Sequence, residues 1–103
     1  MTRTRYRLRL PKALAELAQG LHPQLKRKLS ASLRTILDDP ASGKALRDEL
    51  AGLRSYRVGR FRIIYRVAAR GQVVELVAIG PRGRIYEETL RQVNRDQKAN
   101  SKS

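Results

Sequence analysis

The sequence predicts an α+β domain. An N-terminal strand and a helical hairpin pack on one face of a small twisted antiparallel sheet, and a short helix closes the chain. Two observations carry this. The apolar period is two over residues 5–10, three to four as far as residue 37, and two again over residues 61–68, before an almost unbroken apolar run from residue 73 to 79. Proline and glycine stand at the changes of period. Helices gathered before a run of strands suit a fold with its helices on one sheet face.

Arg5 to Leu10 alternates basic with apolar or aromatic residues, which predicts a half-buried strand with Tyr6, Leu8 and Leu10 inward. Pro11 ends it and suits the first turn of a helix. From Lys12, the residues Leu14, Leu17, Ala18 and Leu21 form the stripe of an amphipathic helix that closes at Gly20. A second helix opens at His22-Pro23 on the stripe Leu25, Leu29, Leu33, Ile36 and Leu37. Asp38-Asp39-Pro40 stops it, because the residue before proline disfavours the helical region. Ala45, Leu46, Glu49 and Leu50 predict a helical turn.

Strands follow. Leu53 to Val58 is one, and Gly59-Arg60 a tight turn. Phe61 to Ala68 is the clearest, with Phe61, Ile63, Tyr65 and Val67 on the core face and Arg62, Ile64 and Arg66 on the other. Arg70-Gly71 is a second turn, and Val73 to Ile79 reads as a central strand. Gly80 to Gly83 is a loop, Arg84-Ile85-Tyr86 a short extension, and Glu87 to Val93 a terminal helix. One domain spans residues 1–93, and 94–103 reads as a polar, disordered tail.

At 103 residues the chain suits a single core. It has no cysteine, which excludes thiolate chemistry, disulfides and zinc-thiolate sites and fits a reducing cytoplasm. Its one histidine, His22, excludes a multi-histidine metal site. No metal or other cofactor is expected. No apolar window suits a membrane span, and the start, Met1 to Arg5, has no apolar signal core.

The charge is the strongest functional signal. The formal net charge is +14, and 17 of the 23 basic residues are arginine. Arginine's planar fork grips phosphate at two points and stacks on bases, so the expected partner is a polyanion. Between Ala51 and Tyr86 the only acid is Glu75, against Arg54, Arg57, Arg60, Arg62, Arg66, Arg70, Arg82 and Arg84. With the helices on one face, Arg62 and Arg66 project from an uncovered one, a surface suited to a nucleic-acid backbone.

The stretch Leu50-Ala51-Gly52-Leu53-Arg54-Ser55-Tyr56-Arg57-Val58-Gly59-Arg60-Phe61-Arg62-Ile63-Ile64-Tyr65-Arg66-Val67, followed by Ala78-Ile79-Gly80-Pro81-Arg82-Gly83-Arg84-Ile85-Tyr86, resembles the RelE/ParE superfamily of bacterial and archaeal toxins. The resemblance covers residues 5 to 90 and implies a toxin of a type II toxin–antitoxin system. Its RelE branch implies a metal-independent endonuclease that cuts mRNA in the ribosomal A site. The ParE branch implies a DNA gyrase inhibitor that cuts nothing, and a third alternative is an inactive RNA-binding relative. A cognate antitoxin with an acidic, amphipathic segment is the implied partner, in a heterotetramer.

The resemblance carries catalytic roles onto Arg62, Arg82 and Tyr86, with Arg54, Arg57, Arg60, Arg66 and Arg84 as RNA contacts. Arg57 matches a basic position of the family's preceding strand; a second basic position there has no counterpart beside Gly59 and Arg60. Cleavage by the ribose 2′-OH needs a proton acceptor, stabilisation of the added negative charge, and a proton donor to the leaving 5′-oxygen. Arg62 and Arg82 suit the charge. Arginine stays protonated and is a poor base. That leaves Tyr86 to take a proton, to orient the 2′-OH, or to stack on a base.

Overall fold

The computed structural model describes residues 5–68, 70 and 72–101. Strand β1 (Arg7–Arg9) leads into helices α1 (Lys12–Gln19) and α2 (Pro23–Asp38). A 3-10 turn at Pro40–Ser42, strand β2 (Lys44–Ala45) and a second 3-10 turn at Asp48–Leu50 follow. Strands β3 (Leu53–Val58), β4 (Phe61–Ala68) and β5 (Val73–Pro81) then run to helix α3 (Ile85–Ser101).

The helix starts are made locally. His22 caps α2, its Nδ1 accepting from the Gln24 amide at 3.2 Å, with Pro23 in the first turn. Both α1 and α2 lie on one face of the sheet. Leu14, Ala18, Leu29, Leu33 and Ile36 meet Val58, Ile63, Tyr65, Val74, Leu76 and Ile79 there. Fully burying a side chain such as Ile36 contributes about 1.5–3 kcal/mol. Leu17 and Leu10 depart from their expected inward placement, at 46% and 38% exposure. The sheet face is already filled by α2, so the outer edge of α1 and the end of β1 reach past it.

The sheet has the order β1-β5-β4-β3-β2 and is mixed, not wholly antiparallel. β1 runs parallel to β5, with Arg7 beside Val73, while the other neighbours are antiparallel. The chain leaves β1 through two helices, not a hairpin turn, and that connection permits the parallel pairing. One irregularity sits in β5. Ile64 faces Ala78 and Tyr65 faces Leu76, so Val77 is an extra residue.

Three further expectations change. Ala45 belongs to a short strand pairing Lys44–Ala45 with Arg54 and Ser55, not to a helical turn. Residues 82–84 form a turn, and helix begins at Ile85, so no strand extension exists there. That helix runs to Ser101, into the segment expected as a tail, and Ser103 lies outside the described residues. Gly71 of the second turn also lies outside them; its neighbour Gln72 has φ +52°.

The second sheet face is not bare. Leu53, Ile64, Val77, Ala78 and Ile85 form a smaller core there, flanked by Leu46, Leu50, Tyr86 and Val93. The apolar stripe of α3 reaches this face because Ile85 and Thr89 are buried, with the Thr89 hydroxyl donating to the Ile85 carbonyl at 2.6 Å. The helix covers the middle of the face, with Arg62 half-buried at its edge and Arg57, Arg60, Arg82 and Arg84 exposed beyond it.

Candidate nucleic-acid interface

This basic end of the sheet is built by the β3–β4 turn. Val58 pairs with Phe61, and Gly59 takes the left-handed φ of +59° that the first position of such a two-residue turn demands. The turn brings Arg57 directly across from Arg62. Like charges across a strand pair cost stability; here Arg57 Nε donates to the Gly59 carbonyl at 3.3 Å, while Arg62 turns toward Ser55. On the other side Arg62 faces Gly80 of β5. One rung on, Phe61 pairs with Pro81, and the Arg82 amide donates to the Arg60 carbonyl at 2.9 Å. Arg57, Arg60, Arg62 and Arg82 thus gather on adjacent rungs, with Arg84 in the turn that follows.

Helix α3 sets Tyr86 over this group. The Tyr86 hydroxyl donates to Ser55 Oγ at 3.1 Å. Arg62 Nη1 donates to the same oxygen at 3.2 Å. The Arg62 guanidinium carbon lies 5.8 Å from the centre of the Tyr86 ring, within cation–π reach. Ser55 is only 2% exposed, so both bonds end on an oxygen withdrawn from water. Arg62 Nε is buried without a hydrogen-bond partner, a costly state for a charged donor.

A carboxylate stands on the other flank. A β-carbon placed on Gly80 would lie 3.0 Å from Ile85 Cδ1 and 3.9 Å from Glu88 Oε2. Glu88 therefore leans over the residue opposite Arg62. The glycine leaves room for both side chains. Glu87 and Glu88 occupy the first turn of α3, where negative charge complements the helix dipole.

Two of the expected contact residues lie elsewhere. Arg54 points to the face that carries α1 and α2, its Nη1 donating to the Gly43 carbonyl at 2.7 Å and the Ala41 carbonyl at 3.4 Å. Arg66 sits at the far end of β4, paired at 3.3 Å with Glu75, which also holds Arg9 at 3.4 Å. Among the described residues no group of three or more His, Cys, Asp or Glu side chains gathers to suit a metal ion. None of the described helices is long and apolar enough to cross a membrane.

Ser55 and Glu88 were absent from the sequence-derived site. Ser55 was within reach of that reading, since Leu53, Ser55 and Arg57 alternate onto one face of β3. Glu88 was not, because residues 84–86 read as strand and the helix was expected one residue after Tyr86.

A family model described as the ParE toxin of type II toxin–antitoxin systems matches residues 4–86. The chain belongs to this toxin family. Among solved structures, the toxin–antitoxin complex RelBE2 of Mycobacterium tuberculosis is similar at 26% identity and TM-score 0.69, over 77% of this chain and 100% of that one. The archaeal RelE–RelB complex of Pyrococcus horikoshii matches at 23% identity and TM-score 0.65, over 79% and 99%. A mutant of the E. coli toxin RelE in the free state matches at 17% identity and TM-score 0.73, over 90% and 98%. No curated protein matches the chain. The toxin fold accounts for the mixed sheet and for the helical hairpin on one of its faces.

Proposed function

We propose that this toxin is a ribosome-dependent mRNA endonuclease that arrests translation in the cytoplasm. The observation that supports it is the convergence of Arg62 and Tyr86 on Ser55, at the sheet end where Arg57, Arg60, Arg82 and Arg84 also gather. Arg57, Arg60 and Arg84 hold the backbone of the message. Arg62 and Arg82 stabilise the charge that builds on the scissile phosphate. Tyr86 places its hydroxyl at the same phosphate and handles a proton there. The ribosomal A site supplies much of the alignment by presenting the message. A cognate antitoxin, carrying an acidic and amphipathic segment, holds the toxin inactive, and the pair forms a heterotetramer. Neutralising this basic end is the simplest route to inhibition.

The second reading is inhibition of DNA gyrase without cleavage. It is favoured by the matching model's own description, which names the ParE toxin. Expression of the toxin followed by primer extension on translated messages decides between them. The nuclease reading expects cuts that vanish when translation is blocked. DNA breaks without RNA cuts overturn it in favour of gyrase.

A further inference from the structure

We propose that Glu88 is the general base of this site and Tyr86 its general acid. The inference rests on the endonuclease reading above and supplies what that reading lacks, a group able to take the 2′-OH proton.

Arg62 lies on β4, between β3 and β5. The Tyr86 hydroxyl bonds Ser55 of β3, on one side of Arg62. The Glu88 carboxylate leans over Gly80 of β5, on the other side. In-line displacement at phosphorus needs this layout, because attacking and leaving oxygens stand on opposite sides of the phosphate. A phosphate held by Arg62 has a carboxylate on one flank and a phenol on the other.

An ionised carboxylate only accepts, and Glu88 makes no ion pair within the described residues. Glu87, its neighbour, is instead drawn along the helix to Arg91 at 3.8 Å. The Tyr86 hydroxyl, 3.1 Å from Ser55 Oγ on the flank away from Glu88, is the group left there with a proton to give. Arginines offer neither service at neutral pH.

The step balances. Glu88 takes the proton of the 2′-OH as that oxygen bonds to phosphorus. The bond from phosphorus to the 5′-oxygen breaks, and the leaving oxygen takes the Tyr86 proton. The products are a 2′,3′-cyclic phosphate and a free 5′-hydroxyl. Glu88 is left protonated and Tyr86 ionised, and exchange with water restores both.

The test is single-turnover cleavage of a short message on programmed ribosomes, across a range of pH, with the full-length toxin. Glu88→Gln is expected to lower the rate by about 10²-fold or more and to erase the acidic limb of the pH profile. Glu88→Asp is expected to restore part of the rate and the limb. Glu87→Gln, one residue away on the same helix turn, is expected to cleave as wild type does. Thermal melting of each variant checks that the fold is kept. Cleavage by Glu88→Gln at the wild-type rate and pH dependence overturns the inference and leaves the endonuclease reading standing. Absence of any cleavage by wild type overturns the endonuclease reading and this inference with it.

Discussion

Gly43 rests on the ring of Tyr65. Its backbone is ordinary, with φ −80° and ψ 156°, so the glycine is required by closeness alone. A β-carbon there would lie 2.8 Å from Tyr65 Cε1 and 2.9 Å from Cζ, nearer still to the hydroxyl. The Tyr65 hydroxyl accepts from the Gly43 amide at 2.9 Å and donates to the Pro40 carbonyl at 2.7 Å. One buried phenol thereby anchors the segment between α2 and β2 to the middle of the sheet. Gly43→Ala is expected to cost about 1–3 kcal/mol through overpacking, since a fully buried ring cannot retreat. Thermal or urea unfolding measures it, and a wild-type midpoint would disprove the contact.

Tyr65→Phe removes the hydroxyl and leaves the Gly43 amide and Pro40 carbonyl without their partner. The expected cost is about 1–3 kcal/mol near neutral pH. Burial holds the folded Tyr65 phenol above its ordinary value of 10.0, although the Gly43 amide offsets part of the rise. The unfolded chain therefore releases this proton first as pH climbs. Stability owed to Tyr65 is complete below the ordinary value and is lost as pH rises toward the folded one. The gap between wild type and Tyr65→Phe should narrow in alkaline unfolding experiments. A constant gap would show that burial does not raise the group.

Much of this was legible before any coordinates. The alternation Phe61, Ile63, Tyr65, Val67 against Arg62, Ile64, Arg66 fixed the faces of β4 correctly, because a strand has no other period. The α2 stripe and its cap at His22 were equally local. What escaped were matters of long-range packing. Whether β1 lies parallel or antiparallel is decided by β5, far along the chain. Whether Ile64 meets solvent or a helix is decided by α3, whose polar composition hides a stripe of Ile85, Thr89 and Val93. For the site, Arg62 and Tyr86 meet at Ser55, and the Arg82 backbone lies beside Arg60. Arg54 does not join them, because one position along a strand reverses the face.

Arg54→Ala and Arg57→Ala should separate these two faces. Arg54 holds the Gly43 carbonyl, so its loss is expected to lower stability and leave RNA affinity unchanged. Arg57 is exposed beside Arg62, so its loss is expected to weaken binding of single-stranded RNA with little change in melting. The log–log salt slope should become less steep by roughly 0.7 for each phosphate contact removed. Titrations at several salt concentrations check both. An equal effect of the two variants on the slope would contradict the division.

Arg82→Ala is expected to relieve growth arrest on expression without unfolding the protein, since its side chain is exposed and only its backbone amide bonds to Arg60. Growth curves beside circular dichroism of the purified variant provide the check. Undiminished toxicity would remove Arg82 from the site.

Ser55→Ala is expected to untie Arg62 and Tyr86 together. Both bonds end on one oxygen, so the combined variants should behave non-additively. A double-mutant cycle on toxicity or cleavage between Ser55→Ala and Tyr86→Phe measures the coupling. Strictly additive losses would show that Ser55 does not link the pair.

The parallel seat of β1 beside β5 has a consequence for biogenesis. The strand β1 is synthesised before every other strand described, but its neighbour β5 is synthesised after all of them. Until then Tyr6 and Leu8 have no sheet to join, and the nascent chain must wait with β1 unpaired. Contacts this distant along the chain form slowly. The interval before the final strand arrives is thus a window in which a newly made molecule exists without its finished surface.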